Sequence, residues 1–282
     1  FQDWRFSTAA NPAAPDTVNN PYGAPSASIT VGRYGSGWLY SIPGLGTQTG
    51  YWDVGSAGVI QFSVPNPPET GGASAGWVSV QVTYFKDISA APTVNVPGAV
   101  KISTDSRVVE NVTTGGQWMV EQTIWRLSPC PVSVTATVTG SAQWGSVVDE
   151  TVVDTCRMSA ASSLAAAKQL PDGAQVEISG PITTRTFGSF YYVEDQNRVS
   201  GIRVNPAAGQ SLPQQGAALI LVGVLATIDG ERVLDQAVIY GQTAQPIPAA
   251  LYMPIRAARR GLSPIGLRVK LAGRAAVPSP GA

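Results

Sequence analysis

The chain has 282 residues, with 18 basic and 18 acidic side chains and no histidine. Its charged fraction of 13% is about half the usual ~25%, while its apolar share of 44% is ordinary for a globular protein. The missing histidine removes the commonest general base, metal ligand and pH switch, and no run of apolar residues is long enough for a transmembrane helix.

Charge is unevenly spread. Residues 1–158 carry seven basic against eleven acidic residues, and residues 159–245 carry five against seven. Residues 246–282 carry Arg256, Arg259, Arg260, Arg268, Lys270 and Arg274 and no acid. Such a basic tail suits an anionic partner or the acidic body of another copy of the chain. All seven tryptophans precede residue 145, so two chemically different regions are expected.

From the N-terminus the chain reads as successive strands. Ser26–Val31, Gly58–Val64, Gly76–Phe85, Met119–Leu127 and Val132–Thr139 alternate β-branched or aromatic residues with polar ones, and Gly/Pro/Asn clusters separate them. Val78, Val80, Val82 and Tyr84 share one strand face, which predicts a sheet with one buried side. A further strand over Gly145–Cys156 would return to the first sheet, and the whole predicts a β-sandwich over 1–158. Cys130 and Cys156 show no zinc or redox spacing. In an oxidising compartment they would form one disulfide, contributing roughly 3–4 kcal/mol on the chain-entropy model.

The alanine-rich stretch Ser159–Leu170, with Ser159 or Ser162 as cap, predicts a short helix ended by Pro171-Asp172-Gly173. About five strands follow between Gln175 and Tyr240, with an Asp229-Gly230 hairpin turn, and fit a small closed barrel of the OB type over 159–245. In the tail, Ile265–Ala275 alternates Leu267, Val269 and Leu271 against Arg268 and Lys270, a strand with no visible partner. A lone strand is not stable. Ile265, Leu267, Arg268, Val269, Lys270, Leu271 and Arg274 are therefore the candidate assembly strand, added to a sheet of either domain or of a neighbouring copy.

Ala167–Gly173, Val176–Gly180, Phe190–Asp195 and Gly201–Val204 resemble OB-like modules of secreted bacterial multidomain proteins. The tail stretch Ile265–Arg274 looks like the opening strand of a further such module. Asn20–Gly23, Gly50–Gly55 and Gly145–Cys156 are similar to the jelly-roll domains attached to such proteins. The resemblance implies an all-β chain: a jelly-roll-like β-sandwich, a small OB-like barrel and an extended C-terminal strand segment, 246–282. Jelly-roll modules often hold a structural Ca²⁺, for which Asp3, Asp149 and Asp154 are candidate ligands. No cofactor is otherwise expected.

Trp38, Tyr40, Trp52 and Trp118 lie near turns and are candidates for stacking on sugar rings. Asp149 and Glu150, as neighbours on a strand, would face opposite sides and serve poorly as a catalytic pair. Phe187, Phe190, Tyr191 and Tyr192 suggest base stacking, but the acidic barrel region argues against nucleic acid. Asn111-Val112-Thr113 is a glycosylation sequon by pattern. The start at Phe1, without methionine, reads as a mature end after signal-peptide removal. The expectation is a non-enzymatic extracellular structural subunit that assembles with other copies of itself. The alternative is a carbohydrate-binding or adhesion module.

Overall fold

The computed structural model describes residues 1–68, 74–88, 90–113, 115–259 and 264–273. It divides into two compact units, Phe1–Met158 and Ser159–Ala282. The chain is all-β, with two short helices among the described residues.

The first unit holds β1 (Gln2–Trp4), β2 (Thr17–Val18), β3 (Ser26–Thr30), β4 (Gly37–Leu39), β5 (Tyr51–Asp53), β6 (Val59–Pro65), β7 (Ser74–Lys86), β8 (Thr93–Asn95), β9 (Val100–Asn111), β10 (Gln117–Leu127), β11 (Ser133–Thr139) and most of β12 (Val147–Ala161). One sheet runs β9-β10-β7-β12, with β1 and β5 also paired to β12; the other runs β3-β6-β11-β8. Pairing of Gln2, Asp3 and Trp4 with Val153, Val152 and Thr151 brings the last long strand back to the first. Val78, Val80, Val82 and Tyr84 face the core that their alternation predicts, against Ile60, Phe62, Val134, Ala136 and Val138 of the second sheet. This is a β-sandwich with its core between the sheets.

β9 is not legible in the sequence. Its twelve residues are nearly all exposed, so no apolar alternation marks them, and the ladder to β10 organises them. Register shifts at Trp118/Met119 and Ile124/Trp125, with Lys101, Asp105 and Arg107 along the strand, blunt it as an edge.

The second unit holds α1 (Leu164–Ala167), β13 (Gln175–Thr186), β14 (Tyr191–Glu194), β15 (Gly201–Pro206), β16 (Ala217–Ile228), β17 (Glu231–Ala244), β18 (Leu251–Pro254), α2 (Ile255–Arg259) and β19 (Val269–Ala272). Strands β13-β16-β17-β15-β14 follow one another in that order, and β14 pairs back to β13. The ring is closed, with β15–β17 its one parallel ladder. Closure removes free edges. Ile178, Tyr191, Val193, Ile202, Leu221 and Leu234 are among the residues that fill the interior.

The expected helix is shorter than its composition suggests. Ser159, Ala160 and Ala161 instead extend β12 and pair in parallel with Val176, Glu177 and Ile178. Ser163, rather than Ser159 or Ser162, caps α1 by accepting from the Ala166 amide.

One expectation is corrected. The Cys130–Cys156 disulfide is not formed. The Cys130 sulfur accepts from Asn66 Nδ2 at 3.7 Å and faces the Pro131 carbonyl, while the Cys156 thiol donates to the Arg157 carbonyl. The Arg157 guanidinium donates to Ser74 Oγ and to the Cys130 carbonyl. The tail strand, expected to pair with a domain or with another copy, has a partner within its own chain. Val269–Ala272 pairs in parallel with Leu251–Pro254. Ile265, Leu267 and Arg268 precede this strand as a turn, and Arg274 lies outside the described residues.

Candidate functional site

A cluster of arginine and aromatic side chains lies on the outer wall of the barrel. In β14, Tyr191 and Val193 enter the core, so Tyr192 and Glu194 face outward. Register sets Arg185 of β13 and Arg203 of β15 directly opposite Tyr192, one on each side. The turn before β14 closes through the Phe187 amide and the Phe190 carbonyl and adds two rings. Phe187 and Phe190 stack at 4.8 Å, and Tyr192 meets both edge-on. Arg203 lies over Phe190 at 4.1 Å, and Arg185 lies 6.0 Å from Phe187.

Beside this cluster a cleft of about 310 Å³ is lined by Thr184, Arg185, Phe187, Tyr192, Gln215 and the tail residues Gly266, Leu267 and Arg268. Tyr192 donates to Glu231 at 2.9 Å, and burial together with that carboxylate raises its phenol above the ordinary range. It therefore stays protonated and is not a nucleophile. Glu194 is fully buried; one oxygen accepts from the Arg268 amide at 3.0 Å, and burial raises its pKa. The cleft is lined by two arginines, Arg185 and Arg268, and by aromatic side chains, which suits holding an anion. No nucleophile–base pair lines it.

Aromatic stacking is largely used up inside the protein. Phe190 lies between Phe187 and Arg203, so the expected base-stacking platform has lost faces to its own neighbours, and Tyr191 is core. Among the expected sugar-stacking residues, Trp52 is in the sandwich core. Trp118 is fully buried with Tyr51 and Phe85 beneath the 40–50 loop, and its Nε1 donates to the Leu45 carbonyl. Trp38 is half-buried and donates to the Phe6 carbonyl, leaving Tyr40 as the exposed member of the four. Tyr34 (76%) and Trp144 (62%) are exposed rings of the first unit outside these candidates. Their loops are laced together: Arg33 and Ser56 exchange backbone bonds, and Ser56 Oγ donates to the Ala142 carbonyl. Glycines around both positions (Gly32, Gly35, Gly145) were the available signal.

The three calcium candidates do not converge. Asp3 is buried and bound by Arg5 Nε at 2.9 Å, and Asp154 pairs with the N-terminal ammonium at 3.4 Å. Among the described residues no group of three Cys, Asp or Glu side chains is placed to hold a metal ion. Asp149 and Glu150 do not split to opposite faces. Val148 and Val153 both reach the core, a spacing that strict alternation forbids, so the strand is irregular between them. Glu150 approaches Thr83 and Arg5 on the outer face, and burial followed by its negative charge raises Asp149 to about 7.

That shift gives a pH prediction. A carboxyl that binds its proton more tightly when folded lowers stability as pH rises from its unfolded pKa through its folded one. The penalty is absent below about pH 4 and complete above about pH 7. Asp149→Asn should therefore leave stability unchanged at pH 4 and raise it at pH 8, by at most about 4 kcal/mol. Urea unfolding at pH 4, 6 and 8 reads this directly, and a gain independent of pH contradicts it.

No family model, no curated protein and no solved structure matches this chain.

Proposed function

We propose that the chain is a non-enzymatic extracellular structural subunit of a filament or surface assembly, built from a jelly-roll-like sandwich and an OB-like barrel. Strand addition at the outer edge of β19 joins it to its neighbour. One observation carries this reading: β19 is paired on one side by β18, and among the described residues nothing pairs with its other side. A two-stranded sheet is marginal in water by itself. Tyr252, Leu271, Ile265 and Ile255 are exposed apolar residues gathered in this segment, as at an unfilled contact. Low surface charge and the internal use of aromatic rings agree with a building block better than with an enzyme.

Burying a leucine contributes about 1.5–3 kcal/mol, so Leu271→Asp should weaken association by about tenfold or more. Negative-stain microscopy and sedimentation velocity should find regular assemblies for the wild type and dispersed particles for the variant. Assemblies that survive the substitution rule out this link.

A second reading, a module binding an acidic surface polysaccharide, rests on the cleft between Arg185 and Arg268. Guanidinium groups hold carboxylates or sulfates in bidentate fashion, and the edges of Phe187 and Tyr192 suit a sugar ring. Calorimetric titration with polyuronates, repeated with Arg185→Ala, separates it from the first.

A further inference from the structure

The segment 264–273 repeats the opening of the barrel at a constant spacing of 93 residues. Pro171, Gly173, Val176 and Gly180 recur as Pro264, Gly266, Val269 and Gly273, and Ile178 recurs as Leu271. The backbone repeats as well. The Ala174 amide donates to the Pro171 carbonyl at 3.2 Å, and the Leu267 amide donates to the Pro264 carbonyl at 2.8 Å. Gly173 and Gly266 take left-handed φ angles of 82° and 86° at the same place in the turn.

What precedes each turn is also equivalent. Ser159–Ala161 leads into α1 and pairs in parallel with Val176–Ile178, and Leu251–Pro254 leads into α2 and pairs in parallel with Val269–Ala272. Strand, short helix, Pro-x-Gly turn and parallel strand thus occur twice.

The copies differ in one respect. Val176, Glu177 and Ile178 are also paired on their far side, antiparallel, with Gly223, Val222 and Leu221 of β16. Val176 and Ile178 are consequently buried. Val269 and Leu271 occupy the same positions, yet Val269 is half-buried and Leu271 is 51% exposed.

We infer that β18–α2–β19 is the opening unit of a second barrel, and that the outer edge of β19 is the seat of an antiparallel apolar strand of the β16 kind, carried by a further barrel module on the same polypeptide. A second copy of this chain does not supply such a strand. Its β16 is paired by β13 and β17 inside a closed ring. The inference rests on the same edge as the structural reading above but gives it a different occupant, a barrel meander in place of another copy's strand, so the two compete for it.

The test appends a duplicate of residues 181–245 after Gly273, splicing at the equivalent of Gly180. Hydrogen exchange at Val269–Ala272 is then compared with that of the unextended chain, both as monomers. These amides should exchange at least about tenfold more slowly in the extended chain. The gain should vanish when Val269→Asp and Leu271→Asp are introduced together. Unchanged exchange overturns the inference, and so does protection that persists in the double variant. Self-assembly is read separately by sedimentation of the unextended chain, so failure of the filament reading and failure of this one are distinguishable.

Discussion

Trp118→Ala should destabilise the sandwich by about 3–5 kcal/mol, the range for removing a large buried aromatic side chain. The ring is fully buried, 5.4 Å from Phe85 and 5.8 Å from Tyr51, and Leu39 of β4 and Ile42 and Leu45 of the loop pack against this cluster. Its truncation leaves a cavity and deprives the Leu45 carbonyl of its donor. The loop over residues 40–50 is also tied to β9, where the Thr47 hydroxyl donates to Glu110 at 3.0 Å. For a unit of this size the loss corresponds to a fall in melting temperature of roughly 6–20 °C. Trp118→Phe keeps the ring contacts and should recover most of the loss. A sugar-stacking role predicts the reverse, with binding lost and melting unchanged. Thermal unfolding of both variants decides between the two.

What the sequence made legible follows from where side chains point. Alternation over Val78–Tyr84 and over Val134–Val138 reports burial on one face, and those strands stand where it predicts them. β9 is exposed on both faces and leaves no such trace. Tryptophan is ambiguous for a related reason. Its position near a turn is visible in the sequence, but whether a loop folds over it depends on long-range contacts such as Trp118 Nε1 to Leu45, 73 residues away. The barrel cleft was half legible. Phe187, Phe190, Tyr191 and Tyr192 read as an aromatic cluster, while Arg268 reads as part of the assembly strand Ile265–Arg274. Its place in the cleft depends on the turn at Pro264–Leu267 and on Glu194, which local composition does not reveal.

The same logic makes Gly201 the most informative single position in the second unit. It sits directly across from Glu194 in the β14–β15 ladder. Its missing side chain leaves room for the tail to cross and for the Arg268 amide to reach the Glu194 carboxylate at 3.0 Å. A Cβ at Gly201 would lie closer than 3.0 Å to the carbonyl oxygen of Gly266. Both partners are backbone, so no rotamer change relieves the clash. Gly201→Ala should therefore lift the tail from the barrel at a cost of about 1–3 kcal/mol, the usual range for overpacking. Glu194 then loses its donor, and the cleft loses the wall made by Gly266, Leu267 and Arg268. The barrel core around Tyr191, Val193 and Ile202 does not contain Gly201 and should persist. Trypsin should then cut after Arg268 and Lys270 roughly 5–150-fold faster in the variant, because local opening controls access. Cleavage at the wild-type rate would mean that the tail is held by something other than the Gly201–Gly266 crossing. Global unfolding in place of local release would mean that the tail is part of the barrel's cooperative unit.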